Sequence, residues 1–376
     1  MGVGATVAAT RYYRPELDLL RFIAFFSVFS AHGASSIYRF DLRGAAQRIV
    51  GVLVSGQFGM QIFFLLSAFL IGDLLLTEKD RTGSVSVRDF YIRRAFRIWP
   101  LYYLGLAIGV VYAVIWAPGE RRMLALFAVM LGNWFFALGG GWPPNPVAPL
   151  WSVSIEEQFY AICPWLTRFA TRGVLLACAG LLMAVSVAVQ FALGAAHGRY
   201  DTVLWTNTFV EFEYFAAGLI LAVLLHGRDW RAPRAARLAL AGLAAVSLIA
   251  TPLLFQVGGE GSARSGWEAV AGFGLVLFGV TALFLSLLGV QRPPRAAVHL
   301  GKISYGLYVY HMPALVVVGA VLGMLSHGAH PLIIGCLRAL MGLILTIVIA
   351  ELSYRFFERG FLRLKERFAA VQSRPV

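Results

Sequence analysis

Arg21 and His32 stand eleven residues apart inside Pro15–Gly33, PELDLLRFIAFFSVFSAHG, a segment otherwise apolar enough to enter a bilayer. With Asp18 they place three costly side chains in hydrocarbon, since an Arg or Asp at a helix centre costs roughly 2.5–3.5 kcal/mol on insertion scales. A segment that served only as an anchor would not carry them. On a helix each residue advances by about 100° and 1.5 Å, so Arg21 and His32 share a face about 16 Å apart along the axis. One polar stripe therefore runs through about half a membrane. An i, i+3 Asp18–Arg21 pair that neutralises itself and snorkels accounts for its inner part. His32 is the type of side chain that bonds a neighbouring helix, and also the one whose ordinary pKa of about 6.5 suits proton transfer near neutrality.

Three further stretches carry chemistry-bearing residues. In Tyr91–Tyr103, YIRRAFRIWPLYY, Arg93, Arg94 and Arg97 precede the aromatic residues Trp99, Tyr102 and Tyr103. That pattern makes a topogenic stop with an interface belt, and guanidinium forks at a helix end also suit phosphate groups. In Trp151–Tyr160, WSVSIEEQFY, Glu156 and Glu157 follow a Pro-rich segment. Ser154 and Glu157 fit a capping box, and neighbouring carboxylates about 100° apart leave at most one facing a given cavity. In Ser304–Pro313, SYGLYVYHMP, the residues Tyr305, Tyr308 and His311 recur at a partly shared helical face.

The elements that must position these residues are apolar helices. The chain has 376 residues, of which 59% are hydrophobic and 14% charged, with a mean hydropathy of +0.74. These values exclude a soluble enzyme or a disordered chain and indicate a polytopic membrane protein. A net charge of +13 lies mostly between apolar runs, as cytoplasmic loop residues do, so nucleic acid is not an expected partner. Cys163, Cys178 and Cys336 are too scattered for a disulfide framework or metal site, and no metal is expected. Met1–Thr6 matches a myristoylation pattern, which in a multi-span protein reads as coincidence. No cleavable leader is evident.

Apolar runs fall at 17–37, 50–76, 98–116, 122–138, 151–167, 174–195, 204–226, 236–257, 267–290, 303–325 and 331–357. The basic groups Arg11 and Arg14, Lys79–Arg97, Arg228–Arg237, Arg292–Lys302 and Arg359–Arg367 all fall on one side only if ten runs cross. The predicted architecture is thus an all-α polytopic membrane protein of about ten transmembrane helices, with both termini cytoplasmic. One further segment, either 122–138 or 151–167, is re-entrant or interfacial, flanking the outer Gly139–Ser154 stretch with its GGGWPPNPVAP. The stretch 78–97 is the longest polar loop. Residues 12–360 form one membrane domain between short cytoplasmic tails, 1–11 and 361–376. No internal repeat of the inverted-transporter kind is visible.

Taken in order, LDLLRFIAFFSVFSAH, GMQIFFLLSAFLI, RRAFRIWPLYY, WSVSIEEQFY, ISYGLYVYHMP and SYRFFERGF resemble the acyltransferase 3 family of integral-membrane O-acyltransferases. The resemblance covers about residues 12–360. The chain departs from the family pattern at Ser67-Ala68-Phe69, where a Gly often follows the Ser, and at Glu358-Arg359-Gly360, where a Pro usually follows. It looks like a stand-alone member without the extracytoplasmic hydrolase-like domain that many members carry. The resemblance implies transfer of an acyl group, often acetyl from acetyl-CoA, to a hydroxyl of a cell-surface or exported glycan, a lipid-linked saccharide or a glycosylated small molecule. It implies a multi-pass inner-membrane enzyme with no permanently bound cofactor, acyl-CoA serving as co-substrate. His32 corresponds to the family's essential histidine and Arg21 to its paired arginine. On this reading His32, Arg21 and Glu156 are catalytic, and Arg93, Arg94, Arg97, Tyr305 and His311 bind the donor. Asp18, Ser67, Trp151 and Glu157 support them, and Ala68 and Gly72 leave room in a cavity. The competing readings are a transporter or flippase that uses the same polar residues as a pathway, and a non-catalytic membrane scaffold.

Overall fold

A computed structural model of the chain describes residues 13–38, 58–197, 202–255, 265–325 and 330–371. The Met1–Thr6 pattern, Arg11 and the start of the 50–76 run lie outside the described residues. Among the described residues the fold is all-α, with no strand. In chain order the helices are α1 (Pro15–Tyr38), α2 (Gly59–Thr82), α3 (Val87–Trp116), α4 (Arg121–Ala128), α5 (Gly132–Ala137), α6 (Trp151–Phe169), α7 (Arg172–His197) and α8 (Thr202–Thr206). They continue with α9 (Thr208–Leu225), α10 (Arg234–Leu254), α11 (Gly266–Leu287), α12 (Arg295–Lys302), α13 (Ser304–Leu325), α14 (Pro331–Ser353) and α15 (Arg359–Glu366), the last two joined by a π-helical turn, Tyr354–Glu358.

Nine of the described helices are long and apolar enough to cross a membrane, and the chain is a multi-pass membrane protein. α6, a continuous helix of 19 residues carrying Glu156, Glu157 and Arg168, falls outside that set. It is the tenth long helix. Of the two candidates for the irregular segment, 122–138 is the broken one. It splits into α4 and α5 at Met130, whose backbone is left-handed (φ 57), a conformation that stops a helix. The freed carbonyls find donors within the protein. Tyr102 donates to the Phe127 carbonyl at 2.7 Å and Tyr103 to that of Ala128 at 3.2 Å, while the Gly132 N–H donates to Ser154 at 3.1 Å. Irregular backbone at membrane depth survives where protein satisfies it, and here α3 and α6 do so. Tyr102 and Tyr103 thus act as hydrogen-bond donors to a neighbouring segment as well as aromatic surface.

A closed ring of amides and a hydroxyl ties this segment to its neighbours. Asn133 on α5 donates to Thr208 on α9 at 2.9 Å, Thr208 to Gln158 on α6 at 2.6 Å, and Gln158 back to Asn133 at 2.9 Å.

Two local readings change. Most of the stretch 78–97 is helical, because Ser86 accepts from the Asp89 N–H and so starts α3 at Val87. The basic cluster is therefore built into a helix rather than a loop. The Ser154–Glu157 capping box does not form, because the short turn Ala148–Leu150 with Pro149 starts α6 at Trp151 and leaves Ser154 inside it.

α1 runs antiparallel to α2: Arg14 stands 4.0 Å from Asp73 at one end, and Gly59 abuts the Ala24 backbone farther along. α2 and α9 pack side by side, with Gly218 against the Leu65 carbonyl and Gly72 against Ala222. Small residues let apolar helices approach closely where lipid gives no hydrophobic drive for pairing. At the Arg14 end, His226 bridges Asp73 (2.5 Å) and Asp80 (3.0 Å), and Arg172 reaches Asp80 at 2.8 Å.

Candidate active site

Asp18 and Arg21 form a 2.5 Å ion pair on α1, with Asp18 fully buried. Both line a cavity of about 1150 Å³, counting its open mouth, enclosed by α1, α2, α3, α6, α13 and α15. Arg14, Arg94, Arg97 and Lys365 lie at the basic end of these helices. Five cations, Arg21 included, therefore face two carboxylates, Asp18 and Glu156. Arg94 lies over the rings of Phe90 (5.6 Å) and Tyr160 (5.5 Å), and its Nε is buried without a hydrogen-bond partner. Stacking fixes the plane of the guanidinium while leaving donors for a ligand.

Farther in, Ser67 on α2 donates to Glu156 on α6 at 2.6 Å. Tyr305, also on the cavity wall, donates to the Ile98 carbonyl at 3.0 Å. The far wall carries Phe63, Ser152 and Tyr308. The Tyr308 hydroxyl bonds the Pro149 carbonyl and stands 2.9 Å from that of Ser152, which ties the cavity floor to the end of the Pro-rich segment.

Behind Tyr308 lie the two histidines. The His311 ring is 5.4 Å from the Tyr308 ring and 5.2 Å from that of His32. Neither imidazole lines the cavity itself. Polar side chains thus run from the arginine mouth, past Arg21 and Glu156, to Tyr308 and the histidine pair.

Of the residues singled out in the sequence, Asp18, Arg21, Ser67, Arg94, Arg97, Glu156 and Tyr305 meet around one cavity. Arg93 faces elsewhere, paired with Glu78 at 3.0 Å and donating to the Phe368 carbonyl at 2.7 Å. Glu157 turns away from the cavity, as its 100° offset from Glu156 requires, and accepts from Trp99 at 3.3 Å. Trp151 packs edge-on against Phe64 at 6.3 Å, within the core. Tyr13, Arg14, Ser152, Tyr160, Tyr308 and Lys365 add further polar groups to the lining. Lys365 carried no local signal, because only the packing of α15 against α3 brings it to the mouth.

A family model for an acyltransferase domain matches residues 14–354. The chain belongs to the acyltransferase 3 family. The family match takes in all six helices that enclose the cavity except α15. Relatives include the peptidoglycan O-acetyltransferase OatA of Listeria monocytogenes, 27% identical over 379 residues, covering 94% of this chain and 56% of that protein. The O-acetyltransferase OatA of Staphylococcus aureus is 26% identical over 375 residues, covering 92% and 57%. A putative O-acetyltransferase of Staphylococcus aureus, SAS0844, is 26% identical over 396 residues, covering 96% and 59%. This acyltransferase 3 chain thus spans between 56% and 59% of the length of these relatives. No solved structure matches it.

Proposed function

We propose that this acyltransferase 3 chain is an inner-membrane O-acetyltransferase, moving an acetyl group from cytoplasmic acetyl-CoA to a glycan hydroxyl of the peptidoglycan class. The observation that carries the reading is the cation-rich cavity that opens beside Arg94, Arg97 and Lys365 and ends against Tyr308, with His32 and His311 behind it. An acyl-CoA donor carries phosphates at one end and a thioester at the other. Guanidinium and ammonium groups at the mouth bind the phosphates, and a polar lane leads the pantetheine arm inward past Arg21 and Glu156. The mouth faces the cytoplasm, as the positive-inside rule requires of the Arg-rich end.

His32 takes the proton of the acceptor hydroxyl as its oxygen bonds the acyl carbon. The C–S bond then breaks, and the thiolate leaves as the thiol by taking up one proton. General-base help of this kind contributes typically 10²–10⁴-fold, about 3–5.5 kcal/mol. Glu156, held by Ser67, orients the reacting groups.

The test uses the purified full chain with [14C]acetyl-CoA and soluble peptidoglycan fragments. Alkali-labile label on the glycan is expected from the wild type and none from His32→Ala at equal membrane level. Label transfer at near wild-type rate by His32→Ala overturns the role of His32. Solute movement without incorporated label marks a transporter instead.

A further inference from the structure

A second hollow, apart from the donor cavity, opens beside Pro15 at the start of α1. It encloses about 970 Å³, counting its open side, and is lined by Arg292, Arg295, Val298, His299 and Lys302. Among the described residues this lining carries three fixed cations, an imidazole and no carboxylate. Other basic groups at this end of the helices stand beside acids. Asp73 and Asp80 lie among Arg14, Arg172 and His226, and Arg93 is paired with Glu78. In the hollow, Lys302 stands over the Tyr13 ring at 5.5 Å. His299 bonds Glu351 on α14 at 2.9 Å, a carboxylate already held by Arg355 at 2.5 Å. Arg292 and Arg295 are exposed and have no hydrogen-bond or ion-pair partner among the described residues. The positive-inside rule accounts for the side on which these residues lie, but not for their convergence on one hollow without an acid.

The depth of the hollow matters as much as its charge. α12 has eight residues, about 12 Å of helix, which is too short to cross a membrane. It joins the ends of α11 and α13, and its Gly301 lies against the Asp18 carbonyl, one turn into α1. Arg295, Ala296 and His299 are exposed, whereas Val298 and Leu300 are half-buried and Gly301 is buried. A helix divided in this way lies along the membrane surface, at the level of lipid headgroups. Beside it, α14 exposes Ile344, Val348 and Leu352 at successive i, i+4 positions. This apolar stripe runs from the turn that carries Glu351 into the hydrocarbon region.

We infer that the hollow binds an anionic phospholipid of the cytoplasmic leaflet. Arg292 and Arg295 hold the phosphate through charge-assisted hydrogen bonds, Lys302 adds its charge, and the acyl chains lie along Ile344, Val348 and Leu352. Basic pockets between membrane helices on this side suit a headgroup with two phosphates, such as that of cardiolipin. A lipid fits the place better than a free anion, because the cations share the lining with Pro15 and Val298 and an apolar track leads away from it. The bound lipid clips α12 to the start of α1. The binding does not depend on the proposed acetyl transfer.

Native mass spectrometry of the purified full chain, titrated with cardiolipin or with phosphatidylcholine, reads the site directly. The wild type is expected to bind cardiolipin at least about tenfold more tightly than phosphatidylcholine. Arg292→Gln/Arg295→Gln is expected to lose about 30-fold in cardiolipin affinity, about fivefold for each cation. Arg81→Gln/Arg88→Gln removes two exposed arginines near the junction of α2 and α3 instead, and should bind cardiolipin as the wild type does. None of these four side chains lines the donor cavity. Cardiolipin should also raise the melting temperature of the wild type more than that of Arg292→Gln/Arg295→Gln. Equal affinity for the two lipids overturns the inference. Equal losses in the two double variants also overturn it, since they mark general surface charge rather than a site. Displacement of cardiolipin by inorganic phosphate or CoA at constant ionic strength marks a site for a free anion and sinks the lipid reading.

Discussion

The Ser67 hydroxyl donates to the Glu156 carboxylate at 2.6 Å, joining α2 to α6 across the wall of the cavity. Hydrogen bonds to a charged acceptor contribute about 1.5–3 kcal/mol. Ser67→Ala should therefore lower kcat/KM for acetyl transfer by about tenfold while leaving the folded yield unchanged. Glu156→Gln, which keeps the shape and removes the charge, should cost more than Ser67→Ala, about 10²-fold. Steady-state kinetics on the purified variants decide this, and an unaltered Glu156→Gln would remove Glu156 from the reaction.

Three arginines lie within five residues on α3, and the fold divides their work. Arg97→Ala and Arg94→Ala should raise the KM for acetyl-CoA by about 10–100-fold, the loss of one charge-assisted contact each. The effect should shrink as salt rises, since screening weakens phosphate binding at an open mouth. Arg93→Ala should act on stability instead. It strands Glu78, which is 3% exposed and then keeps a bond from the Ser86 N–H at 2.7 Å. Breaking a buried pair from one side costs about 3–5 kcal/mol. Melting curves and donor titrations on the three variants should sort them into these two classes.

Gly301 on α12 lies directly against the Asp18 carbonyl of α1, and a Cβ at that position would overlap the carbonyl oxygen. Backbone is the obstacle, so no side-chain rotation relieves it. Gly301→Ala should destabilise the chain by about 1–3 kcal/mol and displace the Asp18–Arg21 pair at the cavity edge. A lower melting temperature in detergent together with reduced donor affinity is the expected result. Gly360→Ala, with open space around the added carbon, is the control and should melt like wild type.

The Asn133–Thr208–Gln158 ring holds the broken α4–α5 segment to α6 and α9. Asn133→Ala takes a partner from the Gln158 amide, the Thr208 hydroxyl and the Thr206 carbonyl, and should cost about 1–3 kcal/mol. The KM for acetyl-CoA should not move, because Asn133 does not line the cavity. Parallel thermal and donor-binding measurements test the separation, and a raised KM with unchanged melting would contradict it.

The amino-acid sequence by itself determined the class of the protein and the location of its polar chemistry. Hydropathy over windows of about 20 residues is a local property, so the long helices and the costly Asp18, Arg21 and His32 are legible without any tertiary information. Spacing along one helix is local too, which is why Glu156 and Glu157 could be expected to part company. The broken run was harder: 122–138 is as apolar as its neighbours, and what ends α4 is a left-handed Met130 supported by tyrosines of α3.

Only the tertiary structure decided which residues meet. Arg93, Arg94 and Arg97 read alike in the sequence, and the rotation of α3 against α2 and α6 sends Arg94 and Arg97 to the cavity and Arg93 to Glu78. Lys365 reaches the mouth because α14 runs on through the π-helical turn into α15, which packs against α3. His311 carried the signal of a residue needing a partner, and the imidazole that lies beside it, His32, comes from near the opposite end of the chain. Helix packing sets such pairings through side-chain shape and small-residue contacts summed over many turns. No local window contains that sum, and it is what places the two imidazoles side by side.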